Sequence, residues 1–324
     1  MAVHEPRPVQ RGPIRFVGSA PVRSEVVAPA HAGAQLGCPV HVNPEHLLSV
    51  ATGEAQLTAV EYRTVDPSEG FPFSVPSIAT LERLDFDAPV TVLVGENGTG
   101  KSTFLEALAV ATGLPAVGSA RPQSDPTLEP QRRLARQLKL TWRGRTRRGF
   151  FLRAEDFFGF QKQLAQQRIE HQRELERIDR EFADASDYAR RLAKGPHRAS
   201  IGAMDARYGE NPDARSHGEA FLNLFQQRLS PGGLFLLDEP EAALSPQSQL
   251  GFLAMIRDAI ATGSQFVIAT HAPILMATPG AHILSFDDPP VRRVGFDELE
   301  SVLLVRDFLQ APERYLRMIW DESE

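Results

Sequence analysis

The residues whose types and spacing can do chemistry begin with the run Gly95-Glu96-Asn97-Gly98-Thr99-Gly100-Lys101-Ser102-Thr103, which fits the pattern G-x-x-x-x-G-K-[ST]. Backbone N–H groups of such a glycine-rich turn wrap an anion, and a helix opening directly behind it turns its positive end toward the same charge. In that setting Lys101 reaches the β- and γ-phosphates of a nucleotide as a point charge. The Ser102 hydroxyl ligates the Mg²⁺ that bridges them. A second set of groups stands far downstream, at Asp238, Glu239 and His271. Asp238 reads as a holder of Mg²⁺, directly or through water, and Glu239 as the acceptor of a proton from an attacking water. His271 reads as a hydrogen-bonding partner of the γ-phosphate that reports its presence.

These groups need elements to position them. The apolar run Val90–Val94 predicts a buried strand that delivers the chain to the glycine turn, and Lys101 opens a helix through Phe104–Val110. Pro231-Gly232-Gly233 breaks a preceding helix, after which Leu234–Leu237 predicts a buried parallel strand with Asp238 and Glu239 at its C-terminal edge. Open α/β sheets bind ligands at that edge. The apolar strand Gln265–Thr270 ends at His271 in the same way. An α/β fold with a mainly parallel central sheet follows.

The chain has 324 residues, a length that suits about two domains and a substantial core. With 42% hydrophobic and 23% charged residues it reads as a soluble globular protein, and a formal charge of −6 argues against wholesale coating of nucleic acid. No apolar run approaches the roughly 20 residues of a membrane span, and Met1–Pro8 has no signal-peptide hydrophobic region, so the expected compartment is cytoplasmic. Cys38 is the only cysteine, so no internal disulfide is expected. It stands near His31, His41 and His46, but structural zinc sites usually carry two or more closely spaced cysteines, so this group reads as a coincidence in a flexible segment.

Residues 1–55 are expected to be a poorly ordered extension, since seven prolines fall in residues 1–44 without a periodic apolar pattern. A short helix is expected over 43–50, an edge strand over Ala59–Val65 and a strand over Leu81–Phe86. Tyr62, Phe71 and Phe73 are aromatics that suit either packing or adenine stacking. Residues 121–153 hold ten Arg or Lys against two acids. Within them 137–142 and 149–153 read as two strands joined by a basic turn, Arg143–Arg148, which suits a solvated hairpin tip or a nucleic-acid phosphate contact. Residues 157–193 predict one long amphipathic helix, either a lever or a surface helix packed on the head domain.

Ser216-His217-Gly218-Glu219 lies 22 residues before Asp238 and opens the helix through Ala220–Phe225. With this piece the chain resembles the ABC-type ATPases. Their signature has serine, two glycines and glutamine at a helix start, upstream of an Asp-Glu strand, with a switch histidine after the following strand. Ser216 matches the serine, Gly218 the second glycine and Glu219 the glutamine. His217 replaces the first glycine and Arg215 the preceding leucine, so the signature is degenerate. Glu241–Ser245 resembles the loop that crosses the dimer interface. The glutamine loop has no clear match, with Arg153, Glu155 and Gln161 as candidates. The resemblance covers roughly residues 75–320 and looks closest to short, soluble bacterial AAA family ATPases, similar in motif order to SMC and RecF heads.

The resemblance implies a P-loop NTPase fold of ABC type over residues 56–320, with an antiparallel β subdomain and a helical insertion at about 157–215. It implies ATP and Mg²⁺ as cofactors, with Ser102 and Asp238 on the metal and Lys101, Glu239 and His271 in catalysis. Gly95–Thr103 would hold the phosphates of one subunit, and Ser216, Gly218 and Glu219 would face the nucleotide of the other. The expected function is Mg²⁺-dependent ATP hydrolysis with ATP-driven head-to-tail dimerisation. A nucleotide-gated binding module with slow hydrolysis, in nucleic-acid repair or defence, is the alternative. A transporter motor subunit and a small-molecule kinase fit less well.

Overall fold

The computed structural model describes residues 55–63, 70–118, 122–208 and 217–320. The expectations for 1–54, the Cys38 group and the 43–50 helix among them, lie outside the described residues, as does Ser216.

In chain order the strands are β1 (Leu57–Tyr62), β2 (Arg83–Asp85), β3 (Val90–Val94), β4 (Leu138–Trp142), β5 (Gly149–Arg153), β6 (Leu234–Asp238), β7 (Gln265–Ala269), β8 (His282–Ser285) and β9 (Arg292–Val294). The helices used below are α1 (Pro76–Ala79), α2 (Lys101–Thr112), α3 (Glu129–Ala135), α4 (Ala154–Glu181), α5 (Asp187–Tyr208), α6 (His217–Arg228) and α7 (Pro246–Ile260). A six-stranded sheet runs in the order β5-β6-β7-β3-β8-β9. All its pairings are parallel except β9, which runs antiparallel at the edge.

Every residue of β3, β6 and β7 is buried, which is why these strands read as unbroken apolar runs rather than alternating ones. Successive side chains leave opposite faces. Phe235 and Leu237 join the core formed with α6 and α7, while Leu234 and Leu236 join the core formed with α2 and β1. Phe225 on α6 meets Phe252 at a ring separation of 4.7 Å and Phe150 at 5.8 Å. Each fully buried phenylalanine contributes about 1.5–3 kcal/mol. Phe221 and Phe225 therefore dock α6 firmly, and that fixes where Gly218 and Glu219 stand.

A separate three-stranded antiparallel sheet has the order β2-β1-β4. The strand expected at an edge is its centre, because Leu57, Ala59 and Val60 are all buried. This sheet is laced to the central one by Gln265, the first residue of β7. Its Oε1 accepts from the Leu57 N–H at 2.8 Å and its Nε2 donates to the Leu57 carbonyl at 2.9 Å.

The basic hairpin expected over 137–153 is corrected. Both strands exist, but β4 pairs with β1 and β5 pairs with β6, so Arg143–Arg148 is a crossover between two sheets. Thr146 Oγ1 donates to the Gly232 carbonyl at 2.9 Å, tying the crossover to the 231–233 turn. Gly149 has φ 118, and a Cβ there would lie 1.8 Å from the Leu234 carbonyl oxygen. Only glycine lets the chain enter the sheet this close to β6.

The single helix expected over 157–193 is also corrected, to the helical hairpin of α4 and α5. The break is built without glycine or proline. The Phe182 N–H closes α4 on the Ile178 carbonyl, and Ser186 accepts from the Ala189 N–H at 3.3 Å to open α5. Arg190 donates to the Ala183 carbonyl at 2.9 Å and straps the turn. No helix among the described residues is long and apolar enough to cross a membrane.

Candidate functional site

Because β6, β7 and β3 are neighbours and parallel, their C-terminal ends bring Asp238, Glu239, His271 and Gly95 to one edge. The loop from Gly95 to Gly100 lies there, with α2 opening at Lys101. Gly100 has φ 101, and a Cβ on it would approach Ser77 Oγ to 2.8 Å. The Ser77 hydroxyl itself donates to the Thr99 carbonyl, so α1 braces the loop from outside. Thr99 Oγ1 donates to the Glu96 carbonyl at 2.9 Å.

Lys101 is buried, and its Nζ donates to the Gly95 and Glu96 carbonyls at 2.6 and 2.8 Å. Burial pulls its pKa down, while Glu239, Asp287, Asp238 and Glu96 oppose that fall. The ammonium is thus held on two backbone carbonyls with four carboxylates around it. Ser102 Oγ donates to Asp238 Oδ1 at 3.0 Å. Burial pushes the Asp238 carboxyl up to about 7, with Glu106 and Glu239 adding to the rise and the Ser102 bond and Arg153 opposing it. A hydroxyl and a carboxylate in contact are hard oxygen donors of the kind Mg²⁺ takes, so this pair fits that ion.

Glu239 has φ 49, the one non-glycine residue with positive φ among the described residues. That conformation costs about 1–2 kcal/mol and recurs where a side chain must be aimed. The Glu239 N–H donates to the Ala269 carbonyl at 2.9 Å. Its carboxylate is half-exposed, and Oε1 lies 3.9 Å from His271 Nε2. Gly218 packs against the first turn of α7, where a Cβ would come 3.0 Å from Ser248 Oγ and 3.4 Å from the Ala243 carbonyl oxygen, and Glu219 is exposed.

The side-chain bonds of three residues escape a reading of the sequence, although it names two of them, Glu241 and Arg153, for other parts. Asp287, two residues past β8, accepts from the Glu96 N–H at 2.6 Å and shapes the phosphate loop. An acid just past an apolar run is the same signal that marks Asp238. Glu241 accepts from the His271 N–H at 2.6 Å. Arg153, one of the glutamine-loop candidates, ends β5 directly opposite Asp238. Its guanidinium donates to Glu106 at 3.0 Å and Asp156 at 2.9 Å, joining α2 to the root of α4. Glu155 is exposed and Gln161 half-buried farther along α4. Of the aromatics, Phe73 lies beneath Arg133, while Phe71 is exposed.

Two protein-family models match the chain. One, described as "AAA domain", covers residues 75–191. The other, described as "AAA domain, putative AbiEii toxin, Type IV TA system", covers residues 175–277. No curated protein matches the chain. Among solved structures it is similar to cbiO1 from Clostridium perfringens, part of the ABC transporter complex cbiONQ. The identity is 15%, over 82% of this chain and 99% of that one, with a TM-score of 0.41. It is also similar to the Smc head domain with an extended coiled coil from Pyrococcus furiosus, solved bound to the C-terminal domain of ScpA. Here the identity is 12%, over 78% and 99% of the two chains, with a TM-score of 0.38. The phosphate loop behind β3 lies within the first AAA-domain match and the Asp-Glu pair behind β6 within the second.

Proposed function

We propose that the chain is an Mg²⁺-dependent ATPase that works as an ATP-closed, head-to-tail homodimer. The observation that carries this reading is the Ser102–Asp238 hydrogen bond, which sets a hydroxyl and a carboxyl that could hold Mg²⁺ together beside Lys101 and Glu239. Gly95–Thr103 would wrap the phosphates with backbone N–H groups and the positive end of α2, and Lys101 would leave the Gly95 and Glu96 carbonyls for the β- and γ-oxygens. Mg²⁺ would be held by Ser102 and Asp238, where it would neutralise charge on the phosphates. Glu239 would take a proton from water as its oxygen bonds to the γ-phosphorus, and the bond from that phosphorus to the ADP oxygen breaks. His271 would donate to the γ-phosphate. In the dimer Ser216, Gly218, Glu219 and the start of α6 would face the partner's nucleotide.

A nucleic acid on Arg143–Arg148 would sit at the N-terminal edge of β5 and β6, the opposite edge from Ser102 and Asp238. At about 3.3 Å per residue that is roughly a strand length away. The basic segment is therefore not part of the nucleotide site, and the leading partners are ATP and a second copy.

Phosphate release from Mg-ATP tests the proposal. Turnover is expected for the unaltered chain, and its loss on chelating Mg²⁺ or in Lys101→Ala. Equal rates with and without Lys101 would contradict it.

A further inference from the structure

We infer that Glu241 is a positioning residue for hydrolysis, holding the loop that carries His271 in register with Glu239. This rests on the ATPase reading and adds to it a residue that touches neither phosphate nor metal.

Glu241 lies in the 3-10 turn Pro240–Ala243 that follows Glu239 directly. Its Oε1 accepts the backbone N–H of His271 at 2.6 Å, a short, charge-assisted bond. Its Oε2 is buried with no hydrogen-bond partner among the described residues. Glu241 is half-buried, and its one side-chain hydrogen bond among the described residues goes to the backbone N–H of the exposed His271, so the bond itself is what the position supplies.

That bond has a counterpart one step away. The Glu239 N–H donates to the Ala269 carbonyl at 2.9 Å, so the acidic turn and the loop after β7 are stitched twice, once on either side of Thr270. Thr270 is itself fixed. Its N–H donates to the Leu93 carbonyl at 3.2 Å and its hydroxyl accepts from the Ala272 N–H at 3.0 Å. With the peptide on both sides held, the His271 ring projects from a set backbone. Its Nε2 stands 3.9 Å from Glu239 Oε1, too long for a hydrogen bond, and both polar ends stay available to a ligand. Without the Glu241 carboxylate, the His271 N–H loses its acceptor and the ring loses its aim, while Lys101, Ser102 and Asp238 keep their own bonds.

A structural staple and a positioning residue differ in a double-mutant cycle, because a group that acts through His271 has nothing left to do once that ring is gone. Steady-state ATP hydrolysis and the Mg-ATP thermal shift are measured for the unaltered chain, Glu241→Ala, His271→Ala, the double variant and Glu241→Gln. Glu241→Ala and His271→Ala are each expected to lower kcat about tenfold or more with KM for ATP held within about threefold. The double variant is expected within about twofold of His271→Ala alone. Glu241→Gln keeps an amide oxygen to accept the N–H and is expected to recover kcat to within about threefold of the unaltered chain. If Glu241→Ala loses its fold, Glu241→Met, which keeps length and lacks the acceptor, takes its place in the cycle. An unchanged kcat in Glu241→Ala, additive losses in the double variant, a Glu241→Gln as slow as Glu241→Ala, or an unimpaired His271→Ala each overturns the inference while leaving the ATPase intact. Absence of turnover in the unaltered chain would overturn the ATPase reading along with it.

Discussion

The Ser102 hydroxyl donates to Asp238 at 3.0 Å, although the two residues stand 136 positions apart in the chain. One belongs to the first turn of α2 and the other to the end of β6, and no local pattern requires them to meet. What joins them is the parallel order β6-β7-β3, which puts both C-terminal edges on one side of the sheet. The proposed chemistry depends on that juxtaposition.

Nucleotide binding should stabilise the protein through the same elements. With Mg-ATP at 100 times its dissociation constant, the unaltered chain is expected to gain about 2.7 kcal/mol. Lys101→Ala should show none of this, because its ammonium is the positive side chain within the loop. Thermal denaturation with and without Mg-ATP checks it, and equal shifts for both proteins would remove the loop from the account.

The raised Asp238 pKa gives the magnesium-free protein a pH dependence of definite sign. Its folded pKa of about 7 lies above the usual carboxylate value, so the folded state binds the proton more tightly than the unfolded chain. The stability it contributes is present below the unfolded pKa and is lost as pH rises through about 7. Asp238→Asn removes this titration. Melting in EDTA should therefore show the variant gaining on the unaltered chain as pH passes from 5 to 8, and parallel curves would count against a buried, protonated Asp238.

Phe225 anchors α6 in the core against rings on β5, β6, β7 and α7. Phe225→Ala should cost about 3–5 kcal/mol, the usual range for a buried phenylalanine. Denaturant unfolding measures it. A loss below about 1 kcal/mol would mean the site collapses to fill the space and α6 is held by other contacts.

Dimer closure is read from solution size. Glu239→Gln should accumulate a dimer with Mg-ATP and revert to monomer with ADP, as seen by light scattering. Ser216→Arg, one residue before α6 in the sequence, should block the dimer and keep the Mg-ATP thermal shift. A chain that stays monomeric with ATP, or a Ser216→Arg protein that dimerises normally, would leave the Ser216–Glu219 stretch as the start of a helix and no more.

The strands that bear the site were legible because β3, β6 and β7 are buried on both faces, and two-sided burial writes itself as an apolar run. The phosphate loop and the Asp-Glu pair were legible because each terminates such a run. Pairing was not. β4 and β5 look like a hairpin because short connections usually join neighbours, while the pairing of β4 with β1 and of β5 with β6 takes the chain from one sheet to the other, a close approach that Gly149 permits. The break between α4 and α5 was hidden for a related reason, since Phe182–Ser186 holds no glycine or proline and the amphipathic pattern runs through it. Gln265, Asp287 and Glu241 act by side-chain bonds to the backbone of distant loops, a long-range relation that spacing does not encode.

The measurement that bears most directly on the account is hydrolysis of Mg-ATP by Glu239→Gln under conditions where binding is verified by its thermal shift. Glu239 follows β6 in a left-handed conformation beside His271, and as the proton acceptor it should be worth about 10²–10⁴-fold in rate. The account predicts a variant that binds Mg-ATP like the unaltered chain and hydrolyses it more slowly by that factor. Hydrolysis within about threefold of the unaltered rate, with nucleotide bound, would contradict it.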